Sequence, residues 1–313
     1  MLNRILSFYT KYFAIWVAIF AVIAYFFPDL FLAVKGGMSW FFALTMFGIG
    51  VVLEPADFKR IAKKPTVVAI GCCAQFVIMP FGAFLLARAF GLEPMIAAGL
   101  ILAGSAPGAM ASNVMCYIAK ADTAYSVSLT TVSTLLCPVL TPALTLLLAG
   151  KKVPIAFTAM MQTALLTVVV PLLVGFAVRC LLKKRIEKVL TIFPAISVTF
   201  IIFICSLVIA MNKQHLLAVS AGVIASAVIL NVYGMATGYG TGMLFRMDKM
   251  KKRTLCIEIG MQNAGLGTIL AAKHLGPKAT LPTAAFVFIC IITASLIAAF
   301  WQKKPQQQPA ITS

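Results

Sequence analysis

An apolar stretch in the last quarter of the chain holds the residues whose types and spacing could do chemistry. It runs from Cys256 to Gly267 and carries a carboxylate at Glu258 and side-chain amides at Gln262 and Asn263. A charge at mid-depth in a bilayer costs about 2.5 to 3.5 kcal/mol on insertion scales, so an acid kept there predicts a functional site. The other acids lie between apolar segments or at their ends, which leaves Glu258 without a second acid for general acid–base work. A lone carboxylate among amides and hydroxyls suits a hard monovalent cation better.

A second polar stretch, Gly104 to Asn113, lies inside an apolar segment of the first half. Pro107 removes a helix donor and Gly108 tolerates unusual dihedral angles, so we predict that the helix breaks here. Glycines at 260, 265 and 267 predict a similar break beside Glu258. Paired breaks are typical of transport sites, where unwound carbonyls coordinate a cation and half-helix N-termini face an anion. The alternative is a pair of kinked helices whose small residues only permit close packing.

Hydroxyl and amide side chains in other apolar segments are candidates for the same site. Ser126 and Thr130 are four residues apart and share a helical face, so both could point at one cation. The alternative is that each hydroxyl bonds back to its own helix. When the chain is aligned with itself at a shift of 156 residues, Gln75 falls at the position of Asn231. Each is either a ligand or a group that forms hydrogen bonds between helices.

The elements that must position these residues are membrane spans. The chain is 62% hydrophobic and 11% charged, with a mean hydropathy of +1.02, which is typical of a polytopic membrane protein. Its net charge of +18 does not indicate nucleic-acid binding, because the basic residues fall in short gaps between apolar runs. The eight cysteines show no CxxC spacing, so we expect neither disulfides nor a zinc site, and His215 and His274 have no partner at ligand spacing.

Hydropathy predicts ten spans, at 8–27, 37–53, 66–90, 95–119, 123–149, 154–182, 189–211, 216–245, 252–275 and 279–302. Of the 26 basic residues, 19 fall on one side of these spans and 7 on the other. Lys and Arg concentrate in the cytoplasm, so both termini are predicted to be cytoplasmic.

The ten predicted spans divide into two copies of five. A shift of 153 residues places Ser105 on Glu258 and Gly108 on Met261, so the two polar segments fall in register. An odd number of spans per copy inserts the second copy upside down. The predicted units are a first repeat, 1–150, an inverted second repeat, 151–302, and a polar, disordered tail, 303–313.

One motif suggests a different class of protein. Thr237 to Gly240 reads Thr-Gly-Tyr-Gly, which is similar to part of a potassium-channel filter, so an ion or solute channel is the alternative function. The same stretch lies inside an apolar span with Gly234, Gly238 and Gly242 spaced by four, which is typical of a helix-packing stripe.

The chain resembles the bile acid:sodium symporter family, as a bacterial member. The motifs that carry the resemblance are Pro107-Gly108, Ala111-Ser112-Asn113, the Ser126/Thr130 pair and Glu258 to Asn263. The resemblance implies an all-α protein of ten transmembrane helices in two inverted five-helix repeats. It also implies a panel domain of helices 1, 2, 6 and 7, a core domain of helices 3 to 5 and 8 to 10, and broken helices 4 and 9 that cross.

The same resemblance implies two sodium sites and a substrate site. Its first sodium ligands are Ser112, Asn113, Ser126, Thr130 and Glu258. Its second set is Gln75, Glu258, Gln262 and the backbone carbonyls of Ile259 and Met261. Gly108, Met110 and Asn263 are the implied substrate contacts. Where the family commonly has a second glycine and a threonine after Pro-Gly, this chain has Ala109 and Met110, which leaves the substrate's identity open.

The expected function is sodium-coupled import of an organic anion, such as a bile acid or a smaller carboxylate, by alternating access. The expected partners are sodium ions, the organic anion and membrane lipids, with no nucleic acid and no obligate protein partner. We expect no enzymatic activity and no cofactor other than sodium as the coupling ion. The expected location is the bacterial inner membrane.

Overall fold

A computed structural model describes residues 9, 13–182, 192–216 and 221–303, and the regular elements within them are helices. The first half contains α1 (Phe13–Phe26), α2 (Pro28–Leu32), α3 (Met38–Val52), α4 (Pro55–Lys63), α5 (Pro65–Ala89), α6 (Pro94–Gly104), α7 (Ala111–Ile118) and α8 (Thr123–Ala149). The second half contains α9 (Phe157–Ala164), α10 (Val170–Leu182), α11 (Ile192–Leu216), α12 (Ala221–Leu244), α13 (Lys249–Gly260), α14 (Ala264–His274) and α15 (Pro277–Lys303). The predicted tail lies outside the described residues from 304 onward.

Six helical segments of the described chain are long and apolar enough to cross a membrane. They are Lys35–Val52, Pro65–Ala89, Thr123–Ala149, Phe157–Leu182, Ala221–Leu244 and Pro277–Gln302. Shorter apolar helices cover Ile15–Phe26, Pro94–Gly104 and Val198–Met211. Large apolar side chains point outward, among them Trp40 and Leu181, each 80% exposed. A multi-pass membrane protein explains this outer surface, because lipid tails replace water around the apolar side chains.

Both predicted helix breaks are present. In the first half, α6 ends at Gly104 and α7 begins at Ala111, so residues 105–110 are not helical. In the second half, α13 ends at Gly260 and α14 begins at Ala264, so the break is residues 261–263. Pro107 and Gly108 lie within the first break. The second break contains no glycine: Gly260 is the last residue of α13, and Gly265 and Gly267 lie inside α14.

The helices pack in two groups. In one, α3 packs on α10 and α11, and α11 also packs on α1 and α2. In the other, α5 packs on α6, α8 and α12, α12 packs on α13, and α15 packs on α6 and α14. The groups meet where α11 contacts α15 and where α9 contacts α8 and α14.

Glycines permit the closest approach within the first group. A β-carbon on Gly50 of α3 would lie 2.0 Å from the carbonyl oxygen of Leu172, and one on Gly175 of α10 would lie 2.1 Å from that of Phe47. Small residues that let two backbones touch are the usual means of packing helices in a membrane, where no hydrophobic force drives them together. These two helices are therefore held by mutual backbone contact.

Candidate functional site

The two helix breaks lie against each other and exchange backbone hydrogen bonds. The amide of Ala109 donates to the carbonyl of Met261 at 3.0 Å, and the amide of Asn263 donates to the carbonyl of Pro107 at 2.7 Å. Gly108 and Gln262 thereby form an antiparallel bridge. Backbone groups freed by a helix break must be paired when water is absent. Each break supplies that pairing to the other, and we call residues 105–110 and 261–263 together the crossing.

Amide side chains from the flanking helices complete the crossing. Asn231 of α12 donates to the carbonyl of Gly260 at 2.8 Å. Gln75 of α5 lies 3.5 Å from the carbonyl of Ala106 and donates to the side-chain oxygen of Gln262 at 2.7 Å. Each amide thus bonds to a broken segment of another helix, and a role for Gln75 as a ligand stays a prediction.

Glu258 lies three residues before the second break and is 1% exposed. The hydroxyls of Ser112 and Ser126 both donate to its Oε1 atom. Its Oε2 atom is buried and has no hydrogen-bond partner in the described chain. A buried carboxylate oxygen without a donor is costly, so this atom indicates a group that completes the site.

The oxygen atoms around Glu258 include more hydrogen-bond acceptors than the neighbouring hydroxyl protons can satisfy. Ser126 Oγ carries one proton yet lies within hydrogen-bond distance of both Glu258 Oε1 and Asn113 Oδ1, the latter at 2.7 Å. Ser112 Oγ likewise reaches Glu258 Oε1 and the carbonyl of Ala109, at 2.6 Å from the carbonyl. Thr130 Oγ1 donates back to the carbonyl of Ser126 in its own helix at 2.9 Å and lies 3.4 Å from Asn113 Oδ1. Such an excess of acceptor oxygens is the donor set that a hard cation takes.

Gly108 brings the backbone of the first break close to Glu258. A β-carbon at this position would lie 2.8 Å from Glu258 Oε2 and 3.3 Å from Thr130 Cγ2. The amide of Gly108 also donates to Ser133 Oγ at 3.3 Å. Any larger residue would push the carboxylate away from the break, so the close approach explains the glycine.

The residues around Gln262 form a second polar group on the other side of the crossing. Gln262 Nε2 donates to the carbonyl of Ile259 at 2.9 Å, while its Oε1 accepts from Gln75. The carbonyl of Met261 accepts from Ala109, and one lone pair of that oxygen remains. Gln75, Ile259, Met261 and Gln262 are therefore close together and buried.

The predicted substrate contacts differ in exposure. Gly108 is buried, whereas Met110 and Asn263 are partly exposed at the edge of the crossing. Asn263 Oδ1 accepts from the amide of Leu266 at 3.2 Å and so caps α14. Asn113 Nδ2 lies 3.8 Å from the sulfur of Met110. The structure thus leaves Met110 and Asn263 reachable from outside the core.

A family model described as "Sodium Bile acid symporter family" matches residues 40–219, which is more than half of the chain. The chain belongs to this family. Sodium fits as the coupling ion of a member of this family. The relatives are named as transporters or cotransporters.

Individual relatives agree with this membership. The "Uncharacterized sodium-dependent transporter YocS" of Bacillus subtilis is 37% identical over 310 residues, covering 99% of this chain and 97% of the relative. The "Probable sodium/metabolite cotransporter BASS2, chloroplastic" of Oryza sativa is 32% identical, covering 96% of this chain and 73% of the relative. The human "Sodium/bile acid cotransporter 4" is 29% identical, covering 75% of this chain and 55% of the relative.

Asp122 and Thr254, which the sequence analysis did not single out, align the helices that carry the site. The backbone amide of Asp122 donates to Thr254 Oγ1, and the same hydroxyl donates to the carbonyl of Asp122, both at 3.0 Å. Asp122 precedes Ser126 by four residues and Thr254 precedes Glu258 by four, so each lies one helical turn from a site residue. That spacing was the available signal. The contact sets the height of α8 against α13 and so aligns Ser126 with Glu258.

The channel-filter interpretation is wrong. Residues 237–240 are helical within α12, and a β-carbon on Gly238 would lie 2.3 Å from the carbonyl oxygen of Leu255 on α13. The same is true of Gly234, where the carbonyl oxygen of Ile259 is 2.9 Å away. The glycine stripe therefore packs α12 on α13 and offers no carbonyls to a pore.

His274 bonds to a hydroxyl of a neighbouring helix. His274 Nε2 lies 2.9 Å from Thr163 Oγ1, which links α14 to α9. His215 lies outside the residues whose side chains are described. Within the described residues, no group of three or more His, Cys, Asp or Glu side chains is placed to hold a metal ion.

Proposed function

We propose that this protein is a sodium-coupled secondary transporter that imports an organic anion by alternating access. The observation that carries the proposal is the buried carboxylate of Glu258, with one oxygen shared by two hydroxyls and the other unpartnered. A bound cation would offset the cost of this charge inside a membrane. Membership of the sodium bile acid symporter family supports sodium as that cation.

The first sodium is held by Glu258, Ser112, Ser126, Asn113 and Thr130. Their oxygens come from three helices, α7, α8 and α13, that belong to both halves of the chain. A cation bound among them coordinates the oxygens that lack a hydrogen-bond donor and draws α7 and α8 towards α13. Sodium binding is thereby coupled to the geometry of the crossing.

The second sodium is held by Gln75, Gln262, Glu258 and the backbone carbonyls of Ile259 and Met261. Rotation of the Gln75 amide breaks its hydrogen bond to Gln262 and turns an oxygen towards the cation, since O and N lie on the same side-chain amide. This site therefore forms by rearrangement of a hydrogen bond. We expect it to respond to amide substitutions more than to hydroxyl substitutions.

The transported substrate is an organic anion, a bile acid or a smaller carboxylate. The helices that follow the two breaks, α7 and α14, begin at the crossing, and their N-termini carry partial positive charge. Met110 and Asn263 lie beside these N-termini and are partly exposed, so they are the proposed contacts, with Gly108 shaping the break beneath them. An anion is held here by helix ends and amides.

The proposed architecture is ten transmembrane helices in two inverted repeats, 1–150 and 151–302. The antiparallel bridge between the breaks supports the inversion. A pair of equivalent contacts also supports the inversion: the side-chain amide of Gln75 faces the carbonyl of Ala106, and that of Asn231 donates to the carbonyl of Gly260. In each half, this amide lies on the span that precedes the broken one. The group of α1, α3, α9, α10 and α11 is the proposed panel, and the remaining long helices are the core.

The proposed location is the bacterial inner membrane, with both termini in the cytoplasm. Six long apolar helices in the described chain and the Bacillus relative support a multi-pass membrane protein. Movement of the core against the panel then exposes the crossing to each side in turn.

Uptake by purified protein in proteoliposomes tests the proposal. Labelled bile acid and a labelled small carboxylate are offered with an inward sodium gradient, and with choline in place of sodium. We expect uptake only with sodium. If two sodium ions accompany a monovalent anion, an inside-negative potential contributes about 2.3 kcal/mol per 100 mV and speeds uptake. Uptake that is equal in sodium and choline would overturn the proposal.

A further inference from the structure

A cavity of about 220 Å³ is lined by basic side chains and by no residue of the crossing. It is bounded by α4, the start of α5, the start of α8 and the start of α13. Its cations are Arg60, Lys63, Lys64 and Lys251, and its other polar walls include Asp122 and Tyr125. We call it the basic pocket.

The charges of the basic pocket are incompletely paired. Arg60 bonds to Asp57 at 3.1 Å, and Lys251 bonds to Asp248 and lies 3.8 Å from Asp122. Lys63 and Lys64 are exposed, adjacent in sequence, and form no ion pair within the described chain. Two neighbouring lysines without a counter-charge repel each other and attract an anion.

The backbone adds to this positive potential. The first turns of α5, α8 and α13 line the cavity through Val67, Tyr125 and Lys251. The three helices therefore direct the positive ends of their dipoles towards it. Fixed dipoles and four cationic side chains favour a multiply bonded oxyanion such as a phosphate.

The walls beneath the cations are apolar, which favours a lipid over a free phosphate. Val67, Val68 and Ala124 form this part of the cavity, and the ring of Tyr125 lies beside them with its hydroxyl bonded to the carbonyl of Val67 at 2.8 Å. An apolar wall does not stabilise a free phosphate, whereas the glycerol and acyl carbons of a lipid bury apolar surface against it. The pocket also lies on the side where 19 of the 26 basic residues are predicted, next to the anionic cytoplasmic leaflet.

We propose that the basic pocket binds the phosphate headgroup of an anionic lipid from the cytoplasmic leaflet. The bound headgroup bridges α4, which supplies Arg60 and Lys63, and α13, which supplies Lys251. The other face of α4 is attached to α10, because the rings of Phe58 and Phe176 lie 4.8 Å apart. The lipid therefore braces the helix that connects the two helix groups of the fold.

Lipid binding to the purified protein tests this inference. Native mass spectrometry in detergent measures bound phosphatidylglycerol and phosphatidylcholine for the parent protein, the double variant Lys63→Gln/Lys64→Gln and the control Lys151→Gln/Lys152→Gln. The control removes an adjacent, exposed lysine pair that does not line the cavity. Each lysine near an anionic surface contributes a factor of about 5, so the first double variant should bind phosphatidylglycerol about 30-fold more weakly. The control should match the parent.

Three results would overturn the inference: no preference of the parent for phosphatidylglycerol, an equal loss in the control, or complete competition by millimolar inorganic phosphate. The last result would assign the pocket to a soluble anion. A cooperative thermal unfolding transition at the parent's Tm, measured on each variant without sodium, shows whether it is folded. Because lipid binding is measured without transport, failure here and failure of the transport proposal are separate outcomes.

Discussion

Replacing Glu258 with glutamine is the most informative single change in the proposed sodium site. The substitution keeps the shape of the side chain and an oxygen for the hydroxyls of Ser112 and Ser126, but it removes the negative charge. It also removes the unpartnered carboxylate oxygen that is buried at the centre of the site. The charge contribution to sodium binding is therefore separated from the packing contribution.

The expected size of the effect follows from the Coulomb energy. Opposite unit charges about 4 Å apart attract each other by about 4 kcal/mol at an effective dielectric constant of about 20. Losing this attraction weakens sodium binding about a thousandfold. At a sodium concentration of about 100 times the parent's Kd, sodium stabilises the parent by about 2.7 kcal/mol and Glu258→Gln by less than about 0.1 kcal/mol.

Thermal unfolding in detergent, with sodium titrated against choline at constant ionic strength, measures this difference. The parent should gain several degrees in Tm with sodium, and Glu258→Gln should gain none. In choline the variant should be at least as stable as the parent, because the buried charge with its unpartnered oxygen is removed while an amide oxygen still accepts from the hydroxyls of Ser112 and Ser126. Glu93→Gln is the control, since this carboxylate is half exposed and pairs with Lys278 at the surface. A sodium-dependent rise in Tm that persists in Glu258→Gln would refute the assignment.

Three further changes test other parts of the structure. Ser126→Ala should raise the sodium concentration for half-maximal uptake about tenfold or more, because one of the oxygens proposed to bind sodium is lost and a polar contact with a charge contributes about 1.5 to 3 kcal/mol. Ser128→Ala should leave that concentration unchanged, since its hydroxyl bonds to its own helix, and an equal effect of both would contradict the site. Gly238→Ala should lower the free energy of unfolding by about 1 to 3 kcal/mol in thermal melts, because its β-carbon meets a backbone carbonyl at 2.3 Å. Gly240→Ala, with nothing within 4 Å, should not lower it, and a matching loss would argue against the helix contact. Asn231→Ala should lower stability by about 1 to 3 kcal/mol in the same melts, because the last carbonyl of α13 loses its donor, and unchanged stability would show that the bond is dispensable.

The contact between Asp122 and Thr254 makes the site depend on two residues that are not themselves proposed ligands. The Thr254 hydroxyl both accepts from and donates to the backbone of Asp122, so it holds α8 and α13 at one relative height. Arg253, the residue before Thr254, donates to the carbonyl of Ala119 at 3.0 Å and strengthens the same junction. The hydrogen bonds between these residues, one helical turn from the site, therefore align the hydroxyls with Glu258.

Much of the candidate site could be predicted from local chemistry. Pro107 and Gly108 predict a helix break, because proline removes a donor and glycine adopts conformations that others avoid. The glycines at 260, 265 and 267 predict a second break near Glu258, but only Gly260 borders it, because Gly265 and Gly267 lie inside α14. The charge of Glu258 predicts a functional site, because an acid at depth is costly unless something offsets it.

Local chemistry alone could not predict the choice among similar side chains. α8 carries six hydroxyls between Ser126 and Thr134, and only the rotation of this helix against α7 and α13 decides which of them reach Glu258. Gln75 and Asn231 are chemically alike, yet one bonds to Gln262 and the other to the carbonyl of Gly260. Each outcome depends on contacts between residues that are far apart in the chain.

The sequence by itself determined an apolar, helical membrane protein with two interrupted spans and one acid at depth, since these follow from hydropathy, from proline and glycine, and from the cost of a buried charge. The tertiary structure alone decided that the two breaks pair with each other, because the freed backbone groups of one had to find partners in the other. It also decided that hydroxyls from α7 and α8 meet one carboxylate oxygen of Glu258 while the second oxygen stays unpartnered. That arrangement depends on the relative heights and rotations of three helices, which no local pattern encodes.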